Sequence, residues 1–167
     1  MKIRPACVDD ASEIAEIYNH YVSAGGSTFD TIRWTESMVQ RWIPPKPPGG
    51  WYVAVDDDAT VIGWTTLRPI SQREGFRHTC ESAIYLLPAA QGRGIADPLQ
   101  NAIFDHCRRH GVHHVMARII ADNQRSVAFH QRHGFETVGV QKEVGYLNKR
   151  WVDLVVMQLL VDIQIDD

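Results

Sequence analysis

The chain has 167 residues, of which 44% are hydrophobic, so it is long enough for one domain with a full core and too short to expect two. Its formal net charge of −3 is spread over mixed signs, which argues against nucleic acid or an anionic membrane as a main partner. No apolar run approaches the roughly 20 residues of a membrane span. Cys7, Cys80 and Cys107 lack disulfide spacing and favour reduced thiols in a cytoplasmic protein.

The first half of the chain predicts one strand, two helices and an antiparallel hairpin. Caps, apolar periodicity and the acidic turn at 56–58 define these elements. They are, in order, a strand at 3–6, a helix from Asp9 or Asp10 to Gly25, a short helix from Thr35 to the proline-rich segment 44–50, and strands at 51–55 and 61–67.

The second half predicts four more strands and two helices. They are a strand at 78–87, a helix from Ile95 or Ala96 to Gly111, a strand at 115–121, a helix at 123–133, and strands at 137–144 and 152–161. The resulting order β-α-α-β-β-β-α-β-α-β-β predicts a mixed α/β sheet in a single domain spanning residues 1–161. Residues 162–167 read as an acidic tail.

Small residues are concentrated in the segment 88–111, where a predicted strand leads into a predicted helix. Gly92, Gly94 and Ala96 leave space for backbone N–H groups to surround one anion, and the helix dipole adds to the attraction. The segment lacks the Lys-Ser/Thr of a P-loop, and Asp97 stands where a dinucleotide fingerprint needs glycine. We therefore predict a phosphate cradle that is not that of a nucleoside triphosphatase. The alternative is a turn that only joins the two elements.

A group of histidines near the end of that helix invites a zinc interpretation. His106 and His110 are one helical turn apart, with Cys107 between them. However, Gly111 ends the helix, and neither an acidic partner nor a second cysteine pair has ligand spacing. Histidines near the negative end of a helix dipole are common, so we expect no metal.

Two motifs give the chain a family resemblance. The loop reads Gln91-Gly92-Arg93-Gly94-Ile95-Ala96, similar to the Gln/Arg-x-x-Gly-x-Gly/Ala signature of GCN5-related N-acetyltransferases. Downstream, the pattern Asn123-x-x-Ser126-x-x-Phe129-His130-x-x-x-Gly134-Phe135 also resembles that family. More narrowly, Ile17-Tyr18-Asn19-His20, Gly75-Phe76-Arg77-x-Thr79-x-Glu81-Ser82-x-x-Tyr85 and Arg150-Trp151-x-Asp153-Leu154 look like the phosphinothricin and methionine sulfoximine N-acetyltransferase group.

The resemblance implies a mixed, mostly antiparallel twisted sheet with a splayed central strand pair and flanking helices. It also implies a homodimer that transfers acetyl from acetyl-CoA directly to the primary amine of a small molecule, without an acyl-enzyme. The acceptor would be an amino acid or an analogue such as phosphinothricin or methionine sulfoximine. By the same resemblance, the cofactor contacts are Ile84, Tyr85, Leu86, Gln91, Gly92, Arg93, Gly94, Ile95, Ala96, Asp97 and Asn123.

Two residues have catalytic roles by this resemblance. Glu81, three residues before Ile84, is the candidate that accepts the ammonium proton, directly or through water. His130 stands where many family members carry a tyrosine that protonates the departing thiolate, and an imidazole titrates in a suitable range. The alternatives are a surface carboxylate and a histidine packed in the core.

The substrate-binding residues are expected next to Glu81, at Ser82, Ala83, Arg73 and Arg77. Ser82 and Ala83 replace the His-Ser of the resembled group, which removes an imidazole. A carboxylate on the acceptor could pair with Arg73 or Arg77, and Arg77 is favoured because it lies in the matching part of the loop. The alternatives are a polyamine, aminoglycoside or peptide N-terminus as acceptor, or a CoA-binding sensor without turnover.

Overall fold

Residues 1–164, which the computed structural model describes, contain seven strands and four α-helices in the predicted order. The helices are α1 (Ala11–Ala24), α2 (Glu36–Gln40), α3 (Ala96–His110) and α4 (Gln124–Arg132). The strands are β1 (Lys2–Pro5), β2 (Gly50–Val55), β3 (Val61–Pro69), β4 (Thr79–Leu86), β5 (His114–Ile120), β6 (Glu136–Leu147) and β7 (Arg150–Leu160). The predicted α/β class is confirmed.

All seven strands form one sheet in the order β1-β2-β3-β4-β5-β7-β6. Every neighbouring pair is antiparallel except β4 and β5, which are parallel. These two pair only from Thr79 with His114 to Glu81 with Met116. Beyond that point β4 continues along β3 and β5 continues along β7, so a wedge-shaped gap, here called the splay, opens in the middle of the sheet. The predicted splayed pair is confirmed.

Helix α3 covers one face of the sheet and anchors the loop before it. Leu99, Ile103 and Cys107 are fully buried in the larger core, and Ile95 is buried there just before the helix begins. Gly111 ends the helix with a left-handed φ of 66°, which a residue with a side chain adopts only under strain. The loop that enters α3 is therefore held in place from the core side.

The opposite face packs against α1, α2 and an aromatic cluster. The rings of Tyr18 and Trp34 stack at 3.7 Å between centroids, and Trp64 lies 5.9 Å from Trp34. Asn19 fixes the connection between α1 and α2, because its amide donates to the Trp34 carbonyl at 2.8 Å and accepts from the Trp34 N–H at 2.7 Å. Residues 27–30 of this connection and Trp34 line the same space as residues of β4 and β5 at the splay.

The end of the chain extends past β7 without regular secondary structure at residues 162–164. The rest of the predicted acidic tail, residues 165–167, lies outside the described residues. No helix within residues 1–164 combines the length and apolar character needed to cross a membrane.

Candidate active site

A cavity of about 720 Å³ occupies the splay. Its wall is built from β4 and β5, the α1–α2 connection, the loop before α3, and the start of α4. The fold therefore brings most of the predicted site residues to one place. Those on the wall are Glu81, Ser82, Ala83, Ile84, Tyr85, Leu86, Gln91, Gly92, Gly94, Ile95, Ala96, Asp97, Asn123 and His130.

The loop 91–96, here called the cradle, has the conformation that an anion site needs. Gly92 and Gly94 have φ angles of 75° and 74°. A Cβ at either position would meet no heavy atom within 4 Å, so the space beside the backbone is open. Because α3 begins at Ala96, its first N–H groups and the positive end of its dipole face the same region. These features fit a pyrophosphate. Arg93 is exposed and is not on the cavity wall.

A chain of hydrogen bonds ties the cradle to its neighbours. Gln91 donates to the Tyr21 hydroxyl at 2.7 Å, and that hydroxyl donates to the Leu86 carbonyl at 2.5 Å. Arg125 of α4 donates to the Gln91 side-chain oxygen at 2.5 Å. Neither Tyr21 nor Arg125 was predicted from the sequence as a site residue. The available signal was the hydroxyl of Tyr21, because a tyrosine that packs in a core usually directs its O–H to a hydrogen-bond partner.

Strand β4 offers an unpaired edge to the cavity between Ser82 and Leu86, because its pairing with β5 ends at Glu81. Main-chain N–H and C=O groups on such an edge can bind an extended amide-containing ligand arm. Ser82 donates to the Met116 carbonyl at 3.3 Å where the strands part. Tyr85 directs its hydroxyl to the Ser27 carbonyl at 3.2 Å, which closes the α1–α2 connection over this edge.

Glu81 is engaged in a two-point ion pair at the closed end of the splay. Arg118 Nε donates to Glu81 Oε1 and Arg118 Nη2 donates to Glu81 Oε2, both at 2.8 Å. The Glu81 side chain is 19% exposed and that of Arg118 is 51% exposed. The hydrogen bonds that Arg118 donates to Glu81 raise the pKa of Arg118 above its already high ordinary value. Arg118 was missed from the sequence, although a charged residue inside the apolar strand 115–121 was a signal.

His130 is buried on α4 as a neutral imidazole. Its Nδ1 lies 2.8 Å from the Ser126 carbonyl oxygen, and a carbonyl can only accept, so Nδ1 carries the hydrogen and Nε2 is an acceptor. Burial lowers the pKa of His130. The ring packs edge-on against Phe135 at 5.0 Å between centroids. The residue thus combines core packing with a position on the cavity wall.

Asn123 and Asp97 both lie on the wall of the cavity that also includes the cradle. Asn123 caps α4 by accepting from the Ser126 N–H at 3.1 Å, and its amide donates to Ser27 Oγ at 3.4 Å. Asp97 lies 2.8 Å from His133 Nε2 and 3.9 Å from Arg132, so its negative charge is partnered beside the first turn of α3. The cradle therefore does not face a bare carboxylate.

Arg73 and Arg77 are not on the cavity wall. Both are exposed in the β3–β4 connection, and Arg77 lies 3.5 Å from Glu74. Arg68 on β3 is the direct pairing partner of Glu81 on β4, and it does line the cavity. In the part of the chain that the structure describes, the charged wall residues are Asp30, Arg68, Glu81, Asp97, Arg118, Arg125 and Arg132.

The histidines considered for zinc have other partners. His106 Nε2 donates to the Pro48 carbonyl at 3.0 Å, and its Nδ1 accepts from the Tyr52 hydroxyl at 3.0 Å. Burial lowers the pKa of His106. Within residues 1–164, no three His, Cys, Asp or Glu side chains are grouped as metal ligands.

Comparison with known proteins identifies the family. The model of the Acetyltransferase (GNAT) family matches residues 14–135. The chain belongs to this family. It is an acetyl-CoA-dependent N-acetyltransferase, and the open cradle and unpaired β4 edge are where its own residues fit the pyrophosphate and the amide-containing arm of acetyl-CoA. The predicted family is confirmed.

Several relatives match nearly the whole chain. A phosphinothricin N-acetyltransferase of Streptomyces coelicolor is 32% identical, with 92% of each chain covered. An L-amino acid N-acyltransferase of Escherichia coli is 33% identical, with 97% of this chain and 95% of the relative covered. A phosphinothricin acetyltransferase of Sinorhizobium meliloti, solved in complex with acetyl-CoA, has a TM-score of 0.90 and 30% identity, with 96% of this chain and 88% of that one covered. The resemblance to the phosphinothricin group is thus confirmed.

Proposed function

We propose that the protein acetylates the primary amine of a small amino acid or amino acid analogue, such as phosphinothricin or methionine sulfoximine. The observation that carries the proposal is the position of the Glu81 carboxylate at the closed end of the splay, on the same cavity wall as the cradle. A carboxylate there can bind the ammonium of an acceptor and take its proton. The acceptors named for the similar proteins are amino acids or their analogues, which supports the same class here.

Within this proposal, one set of residues aligns acetyl-CoA and another transfers protons. When bound, acetyl-CoA supplies a thioester that an uncharged amine can attack. Backbone groups of Ile84, Tyr85 and Leu86 and the N–H groups of the cradle hold it in place. Glu81 accepts a proton from the acceptor ammonium, directly or through one water, which gives the uncharged amine.

We propose that His130 supplies a proton to the leaving thiolate. In the resting arrangement its Nε2 carries no hydrogen, so His130 first accepts the proton that the acceptor nitrogen loses once it is bonded to the acetyl carbon, and then donates it to the thiolate as the thioester C–S bond breaks. Its lowered pKa makes the cationic form a ready proton donor once it forms. Asn123, which caps α4 only three residues before Ser126, holds the helix that presents His130.

A cationic acceptor such as a polyamine or an aminoglycoside is the second candidate. Asp30 lies on the cavity wall, where a carboxylate favours a positive ligand. Its Oδ2, however, already accepts from the Tyr18 hydroxyl at 2.7 Å and from Trp34 Nε1 at 3.0 Å. The arginines on the wall also oppose a polycation, so the amino acid class is favoured.

The function is tested by an acceptor screen. Purified protein is incubated with acetyl-CoA and single acceptors from four classes, namely amino acids and analogues, polyamines, aminoglycosides and short peptides, and released thiol is measured. We expect turnover mainly with the first class. Preference for a polyamine would contradict the amino acid proposal and favour a cationic acceptor. CoA binding without thiol release for any acceptor would indicate a sensor.

We also propose that the protein is a homodimer that forms through β6. Within residues 1–164 this strand is at the edge of the sheet and pairs only with β7, and the side chains of both strands include exposed apolar groups. These are Val138, Val140, Val144, Tyr146, Trp151 and Leu160. An open apolar edge favours pairing with a second copy.

Sedimentation should show a dimer for the wild type and for the distant surface variant Val8→Lys, and a monomer for Val140→Lys. A wild-type monomer would contradict the assignment.

A cytoplasmic location is proposed from the cysteines. All three are free, with Cys80 and Cys107 fully buried and Cys7 exposed. Burial raises the pKa of the Cys80 thiol to about 11 and that of Cys107 to about 12, so both are unreactive. Free thiols without a disulfide are typical of proteins in a reducing compartment.

A further inference from the structure

The ion pair between Arg118 and Glu81 leaves part of the guanidinium available to a ligand. A guanidinium has five N–H donors, and Glu81 uses the side formed by Nε and one hydrogen of Nη2. The opposite fork, formed by Nη1 and the second hydrogen of Nη2, can hold another carboxylate through two parallel bonds. Arg118 is half-exposed and lies on the cavity wall, so this fork is accessible from the cavity.

Glu81 likewise keeps capacity for a second partner. Each carboxylate oxygen has two lone-pair sites, and Arg118 occupies one site on each oxygen. An ammonium can therefore bind Glu81 without displacing Arg118. The pair presents one negative and one positive group side by side, which matches the ammonium and carboxylate that an α-amino acid carries on a single carbon.

We propose that Arg118 is the specificity-determining residue that receives the acceptor's carboxylate, while Glu81 receives the ammonium of the same molecule. This role rests on the proposed function: Arg118 would make the enzyme select an acceptor with both an ammonium and a carboxylate over one with an ammonium alone. Arg118 also repels an acceptor that carries only positive charge, because its guanidinium is next to the ammonium site. A bare amine thus loses an attractive contact and meets a repulsive one.

Neighbouring arginines fit this assignment less well. Arg68 lies across from Glu81 in register and adds positive charge, but among the described residues the Glu81 carboxylate is bonded to Arg118 and not to Arg68. Arg73 and Arg77, which the sequence favoured for this role, are on the exposed connection away from the cavity wall. Arg118 lies on the cavity wall, is held in one orientation by Glu81, and keeps N–H donors that Glu81 does not use.

The test compares two acceptors that differ only in the carboxylate, L-methionine sulfoximine and the amine that remains after its decarboxylation. The ratio of kcat/KM for the two is measured in the wild type, Arg118→Gln, Arg118→Lys, Arg77→Gln and Arg108→Gln. Arg108 is a matched control, because it is 58% exposed, is also ion-paired, and lies on α3 outside the cavity wall. Any effect of losing the Glu81 ion pair acts on both acceptors and cancels in the ratio.

We expect Arg118→Gln to reduce the wild-type preference for the carboxylate acceptor about 10-fold to 100-fold, mainly through KM, with unchanged CoA affinity by calorimetry. Arg118→Lys should recover part of the preference, because it keeps the charge without the fork. Arg108→Gln should keep the full preference. An unchanged ratio in both Arg118 variants, or a loss only in Arg77→Gln, would overturn the inference while the proposed function stands. A wild type that acetylates no amino acid would overturn both.

Discussion

Glu81 pairs with Met116 at the last position where β4 and β5 run together. The candidate base thus stands at the closed end of the gap where we propose that the cofactor arm binds. We predict that Glu81→Gln lowers turnover about 10²-fold to 10⁴-fold and leaves CoA affinity nearly intact, because the amide cannot accept the ammonium proton. Glu74→Gln, on the exposed β3–β4 connection, is the control. Near wild-type turnover of Glu81→Gln at neutral pH would refute the role of Glu81.

The cradle is tested by Gly94→Asp. The substitution adds a side chain and a negative charge to open space beside the first turn of α3, and it should weaken CoA binding by about 2 kcal/mol, or about 30-fold. Gly111→Asp is the control for backbone strain, since Gly111 also has a left-handed φ, of 66°, but ends the same helix at the far side. Calorimetry that gives equal CoA affinity for wild type and Gly94→Asp would exclude the cradle as the phosphate site.

Two buried histidines predict a pH dependence of stability. Burial lowers the pKa of both His106 and His130 below 6.5 in the folded protein, so the unfolded chain binds more protons in the interval below 6.5. Their contribution to stability is present above that value and is lost as the pH falls through the folded pKa values. Urea titrations between about pH 7.5 and pH 5 should show a smaller loss of unfolding free energy in His106→Gln than in the wild type. Parallel pH profiles would contradict the prediction.

Gly145 on β6 makes room for Phe29 of the α1–α2 connection. A Cβ at residue 145 would overlap the Phe29 ring, which is part of the cavity wall. We predict that Gly145→Ala lowers the unfolding free energy by about 1–3 kcal/mol and raises KM for the acceptor. Gly139→Ala is the matched control on the same strand, because a Cβ there meets nothing within 4 Å. Equal stability and kinetics of the two variants would show that the ring moves away freely.

The order of elements and the cradle were predictable because their causes are local. Gly25 and Gly111 end helices, and the spacing of Gly92 and Gly94 before a helix start is visible in the sequence. The lengths of β6 and β7 were harder to predict from the sequence. Both extend beyond the predicted bounds to a tight turn at Asn148 and Lys149, where φ is positive without a glycine.

The electrostatic partners in the site depend on strand register, which the sequence does not reveal. Arg118 reaches Glu81 across the splay although 37 residues separate them. Tyr21 on α1 bonds to Leu86 at the end of β4 and to Gln91 in the cradle, and no local pattern links these residues. The direction of the β3–β4 connection, which takes Arg73 and Arg77 away from the cavity wall, is also set by tertiary packing. More of the residues predicted for the cofactor than of those predicted for the acceptor therefore lie on the cavity wall.

The most direct test of the account is the acetylation of L-methionine sulfoximine by the wild-type protein. Thiol release from acetyl-CoA is followed with and without this acceptor, and the product mass and site of acetylation are determined. We expect acceptor-dependent thiol release and a single acetyl group on the amine nitrogen. Tight CoA binding with no acceptor-dependent release for this or any other amino acid, together with turnover of a polyamine, would contradict it.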